Sequence, residues 1–156
     1  PIPSRRPYAR SGGDRRDSSD VPAARRANVL QPSRVFFAND DAPEDERGYV
    51  VRADARRSLG DPENGLTEEL LSPDLSGDFE ILRSVFAPGA ELADYQTRDT
   101  EEAGYLVSGA LDLWVGKRLF RLQPGDSFRF AREPYRWRNP GTVDAVVIWT
   151  ITPPVY

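Results

Sequence analysis

From Val35 onward the chain reads as short apolar stretches cut at close intervals by turn residues. Phe79-Glu80-Ile81-Leu82-Arg83-Ser84-Val85-Phe86 has the make-up of a strand, and Pro88-Gly89 ends it. Further strands are predicted over 104–108, 110–115, 118–122, 127–130, 135–138 and 143–152. Gly109, Gly116, Pro124-Gly125 and Asn139-Pro140-Gly141 separate them. Pro124-Gly125-Asp126 reads as a turn between two strands. Gly48-Tyr49-Val50-Val51-Arg52 is another predicted strand, whereas Leu66-Thr67-Glu68-Glu69-Leu70-Leu71 suits either a strand or a helical turn. Strands about eight to twelve residues apart, with no long helix among them, indicate an all-β sandwich or barrel. The last strands are rich in aromatic and β-branched residues, as a half-buried sheet requires. No internal repeat is visible.

Charge changes this picture at the N-terminal end. Residues 1–34 carry eight arginines against three aspartates, a net of +5, and are rich in Pro, Ser and Gly. The remaining residues hold 13 basic and 22 acidic groups, a net of −9, which together give the overall −4. The first segment is therefore expected to be a disordered or loosely packed basic arm, and residues 35–156 the folded domain. The arm suits either a polyanion contact or a plain solvated linker, since the whole chain uses 20 Arg and one Lys. After Val35-Phe36-Phe37, the acidic run from Asp40 to Glu46 reads as an exposed linker. A chain that opens Pro1-Ile2-Pro3 reads as a piece of something longer. The N-terminus has no apolar stretch with a cleavage site, and no apolar run is long enough to span a bilayer, so a cytoplasmic location is expected.

The missing residue types narrow the chemistry further. The chain has no His, Cys or Met. That excludes zinc fingers, Cys-His and Ser-His-Asp nucleophiles, imidazole bases and disulfides. Asp126 and Glu133 have no spacing that supports a glycosidase pair. Arg129, Arg132, Arg136 and Arg138 alternate with Phe128, Phe130 and Trp137, which makes them the solvated face of a sheet, with a polyanion site as the alternative.

Four motifs occur in order: Pro88-Gly89, Glu101 to Gly109, Leu122-Gln123-Pro124-Gly125-Asp126-Ser127, and Pro134 to Gly141. Together they resemble the two motifs of the cupin superfamily, which implies a double-stranded β-helix, the jelly-roll barrel, with core motifs at 79–152. The lead-in 48–53 and the stretch 70–77 resemble a narrower group. That group is the C-terminal cupin sensor domain of bacterial helix-turn-helix regulators of the XRE type, similar to the putrescine-utilisation repressor.

Cupin enzymes hold a metal with His-x-His, a Glu and a later His. By that resemblance these positions fall on Tyr95, Thr97, Glu102 and Tyr135. Three of the four carry hydroxyls, poor donors for Fe, Mn, Ni or Zn, so no metal and no cofactor is expected. The motif register implies that Glu102, Tyr135, Tyr95 and Thr97 point into the barrel, and alternation puts Trp137 on the Tyr135 face. A carboxylate among tyrosines and a Trp suits an amine. The plainer alternative is that the aromatics fill the core and Glu102 pairs with an arginine such as Arg83. The resemblance implies a ligand-sensing, homodimerising domain rather than an enzyme, with DNA bound through a helix-turn-helix not evident in this chain. A metal-independent cupin enzyme and a binding cupin without an effector remain the alternatives.

Overall fold

The computed structural model describes residues 41–156. The basic arm, Val35-Phe36-Phe37 and Asp40 lie outside the described residues. The elements in chain order are β1 (Ser58–Asp61), β2 (Leu66–Leu70), β3 (Glu80–Phe86), β4 (Glu101–Ser108), β5 (Leu111–Val115), β6 (Arg118–Leu122), β7 (Ser127–Ala131), β8 (Tyr135–Arg138) and β9 (Ala145–Thr152). Two single-turn 3-10 helices, Ala53–Ala55 and Pro62–Asn64, flank β1. The strands form a six-stranded sheet in the order β1-β2-β3-β9-β4-β7 and a three-stranded sheet in the order β6-β5-β8. All pairings are antiparallel. This is the expected all-β jelly-roll architecture.

Alternation decides which residues fill the space between the sheets. In β3, Glu80, Leu82, Ser84 and Phe86 are buried while Ile81, Arg83 and Val85 are not. In β9, Ala145, Val147, Trp149 and Ile151 face inward. Leu111, Leu113 and Val115 of β5 and Tyr135 and Trp137 of β8 meet them from the smaller sheet. Leu111 and Leu113 are fully buried, and each contributes about 1.5–3 kcal/mol relative to an exposed leucine. Gly109 turns β4 into β5 at φ +79°, and any side chain there would overlap the backbone at Asp144. Asn139 closes the turn before β9. Its amide donates to the carbonyls of Phe86 (2.9 Å) and Val143 (2.8 Å), and its oxygen accepts from Gly141 N (2.9 Å).

Two sequence expectations change. Gly48–Arg52 is not a strand. The backbone N–H groups of Tyr49 and Val50 both donate to Glu46 O (2.9 Å), which closes a turn, and Tyr49 is 84% exposed. Three apolar residues in a row could not become a strand without an edge to pair with. The strand that does precede β2, Ser58–Asp61, has a single aliphatic residue and exists because β2 offers it a ladder. Leu66–Leu70 resolves as a strand, with Glu68 and Leu70 turned inward.

Candidate functional site

The cavity of the barrel, about 470 Å³, opens between the two sheets and is walled by residues of β1, β2, β3, β4, β8, β9 and the segment 91–98. Its deepest polar group is Glu102, 1% exposed. β4 turns this side chain inward, and two neighbours fix its carboxylate. Thr100 Oγ1 donates to Oε1 (2.9 Å) and Trp149 Nε1 donates to Oε2 (2.9 Å). Burial pushes the Glu102 carboxyl above its usual range, against the opposing pull of Thr100, Arg98, Trp149 and Tyr135. The Tyr135 hydroxyl is pushed up to about 12, first by burial and then by the Glu102 charge, so it stays protonated and can only donate to that carboxylate.

Phe86, Tyr135, Trp137 and Trp149 line the remaining wall, and Phe128 and Phe130 pack against these rings. Phe86 and Trp137 meet edge to face at 4.6 Å, Phe128 and Trp149 at 4.9 Å, and Phe130 lies 4.9 Å from Tyr135. Gly104 makes the second contact possible. Phe128 sits opposite it in the sheet, and a Cβ at 104 would overlap the Phe128 ring. Glycine within a strand marks such a close approach.

A second acidic group lines the cavity from β2. Glu68 accepts from Ser84 Oγ (2.6 Å) and from the hydroxyl of Tyr156, whose own ionisation is driven far up by burial and by Glu68. Next to it, Glu80 is fully buried. Val155 N donates to its Oε1 (3.1 Å), its Oε2 has no hydrogen-bond partner, and burial raises its pKa.

Of the residues expected in the pocket, Glu102, Tyr135 and Trp137 line it. Tyr95 and Thr97 do not. Gln96 and Tyr135 form a hydrogen-bonded antiparallel pair, N to O at 2.9 and 2.8 Å, and residues directly opposite share a face. Tyr135 faces inward, so Gln96 does too, and its neighbours point out. Tyr95 is 46% exposed, with the Arg136 guanidinium over its ring at 5.4 Å, and Thr97 is exposed. Gln96 and Arg98 take the inward places instead. Glu102 is not paired with Arg83, which lies on the outer face 3.7 Å from Glu69.

Other readings settle as surface chemistry. Arg129 pairs with Glu101 (3.4 Å), Arg132 with Asp99 (2.7 Å), and Arg136 lies over Trp114 at 3.9 Å. Glu133 is 3.3 Å from Arg118. Asp126 accepts from Gln123 N (2.8 Å) and holds the turn at Pro124-Gly125.

The donor set does not fit the metal that cupin enzymes carry. Glu102 is the only carboxylate at the former ligand positions, the inward places of the first motif hold an amide and a guanidinium, and the chain has no imidazole or thiolate. Among the described residues, no group of three or more His, Cys, Asp or Glu side chains could hold a metal ion.

Comparison with known proteins agrees with the fold. Residues 82–151 match the sequence model of Cupin_2, the cupin domain. No curated protein matches. An RmlC-like cupin from Shewanella frigidimarina is 20% identical with a TM-score of 0.59, the match covering 68% of this chain and 91% of that one. A structure described as a sugar phosphate isomerase from a cupin superfamily, from Silicibacter pomeroyi, is 19% identical at a TM-score of 0.52, over 62% and 69% of the two chains. An HTH_3 family transcriptional regulator from Vibrio cholerae is 17% identical at a TM-score of 0.51, over 60% of this chain and 54% of that one. At these identities the likeness is one of fold, which hosts unrelated activities. Residues 82–151 thus match the cupin domain, and the solved structures share its fold.

Proposed function

We propose that this cupin domain is the ligand-sensing, homodimerising half of a bacterial transcription regulator, acting in the cytoplasm, and that its barrel holds a small amine-bearing effector without a metal. The observation that carries the reading is the buried Glu102 carboxylate. It occupies the position of a metal ligand, is held by Thr100 and Trp149, and faces a cavity ringed by aromatic groups. An ammonium group there gains a charge-assisted hydrogen bond and the faces of Tyr135 and Trp137, and it offsets the desolvation of Glu102. The regulator half of the reading is supported by the motif text at 48–53, 70–77 and 88–141, and by a fold shared with the Vibrio regulator.

Calorimetry with n-butylamine, 1,4-diaminobutane and neutral n-butanol tests the amine. Binding of at least one amine, weakened about tenfold or more by Glu102→Gln, is expected, equivalent to roughly 1.4 kcal/mol or more. Equal affinity in the wild type and Glu102→Gln would overturn it. The regulator half is tested separately: the reading frame around Pro1 is expected to encode a helix-turn-helix on the same polypeptide.

A further inference from the structure

Among the described residues, Arg98 is the only basic one lining the cavity, where Asp61, Glu68, Glu91, Asp94 and Glu102 supply five carboxylates. It is partly buried, yet its one side-chain hydrogen bond is a long one, 3.4 Å to Gln96 Oε1. It forms no ion pair within 4 Å among the described residues. Several other arginines do find a carboxylate, while Arg121 and Arg138, which have none among the described residues, are exposed to water. Arg56 and Arg83 share Glu69, and Arg118, Arg129 and Arg132 each have a carboxylate, on surfaces where such pairs are worth little. Arg98 has the stronger reason to pair, because its charge is felt by Glu80, Glu102, Tyr135 and Tyr156, and it does not. Most of its five N–H donors are left for something else.

A lone amine would answer Glu102 but leave this guanidinium unmatched and repelling it. A lone carboxylate would answer Arg98 but meet the five acids. A molecule with both charges satisfies each end. Arg98 and Glu102 are alternate inward positions with Thr100 between them, at most about 13 Å apart along an extended chain. Because no ion pair within 4 Å joins the two groups, the charges of the ligand sit at separate ends.

We propose that the occupant of this cavity is an amino acid with separated ends, its ammonium on Glu102 and its carboxylate on the Arg98 guanidinium. The proposal rests on the amine reading of the site and narrows it. A guanidinium fork matches a carboxylate in two parallel hydrogen bonds, so Arg98 is a specificity determinant.

The test is calorimetry of the whole chain with unbranched ω-amino acids of three to six carbons, against the alkylamine, the alkanoate and the ω-hydroxy acid of the same length. At one or more lengths the amino acid is expected to bind about tenfold tighter than its alkylamine. Arg98→Gln should bring that ratio near one while keeping or improving alkylamine affinity, and Arg98→Lys should retain part of the preference. A ratio near one at every length in the wild type, or a preference that survives Arg98→Gln, overturns the proposal and leaves the amine reading standing. A hydroxy acid that binds as tightly as the amino acid, or no binding by any amine-bearing compound, ends both.

Discussion

The indole N–H of Trp149 reaches Glu102 Oε2 although the two residues are not cross-strand partners: Glu102 faces Ile151 and Trp149 faces Gly104. The bond therefore runs diagonally across β4 and β9. Trp149→Phe keeps most of the ring and removes the donor, leaving a buried carboxylate with one fewer hydrogen bond. A loss of about 1–3 kcal/mol by urea denaturation is expected. A variant as stable as the wild type would show that the bond has no structural weight.

The same carboxyl sets a pH dependence. The pKa values of Glu102 and Glu80 are raised in the folded state above the ordinary value of 4.5. Their neutral forms are favoured by folding, so each costs nothing below pH 4.5 and costs progressively more as pH rises from there through the raised folded value. Glutamine mimics the neutral form. The melting temperature of Glu102→Gln relative to the wild type should therefore climb across that window and then level off. A difference that falls with rising pH would reverse the assignment.

Gly104→Ala places a methyl group in the space of the Phe128 ring. Overpacking of this kind costs about 1–3 kcal/mol. Since the cause is one contact, Gly104→Ala combined with Phe128→Leu should lose less than the sum of the two single changes. Strict additivity in denaturation would place the cost elsewhere.

Asn139 is fully buried and makes three hydrogen bonds that tie the last turn to β3. Asn139→Ala strands the buried Phe86 carbonyl and frees the part-buried Val143 carbonyl, a loss of about 1–3 kcal/mol. Asn139→Asp keeps only the acceptor for Gly141 and should be no better. Thermal denaturation measures both.

The chemistry of the site also predicts indifference to metal. Dialysis against a chelator should leave the melting temperature unchanged, and elemental analysis should find far less than one transition ion per chain. A tightly held equivalent of Fe, Mn, Ni or Zn would overturn the argument from donors.

Most of the strands were legible because their two signals agree. In β3 and β9 the alternation of apolar residues and the flanking turn residues mark the same bounds to within two residues. Glu102, Tyr135 and Trp137 were legible for the same reason, since each lies in or at the start of a regular strand. The failures lie where period two breaks. Between β3 and β4 the backbone touches the smaller sheet only at isolated bridges, Glu91 to Arg138 and Gln96 to Tyr135. Counting back from Glu102 by family spacing cannot carry parity through such a segment, so Tyr95 and Thr97 were aimed inward and Gln96 and Arg98 were missed. Glu68 was hidden differently. Leu66-Thr67-Glu68-Glu69-Leu70 satisfies both strand and helical spacing, and only the pairing with β3 turns Glu68 into the cavity. Tyr156 had no signal, because its place depends on a tertiary contact with Glu68.

Gln96, Arg98, Thr100 and Glu102 come from one run of seven residues, clamped at Gln96 by its two bonds to Tyr135 and at β4 by strands on both sides. The guanidinium and the buried Glu102 carboxylate of the cavity thus come from a single short stretch of chain, while the aromatic walls and the other acids come from elsewhere. Such a division lets selectivity diverge quickly. A few codon changes within one small window can convert an acid-recognising mouth to a neutral or basic one, with the folding machinery of the barrel left as it was.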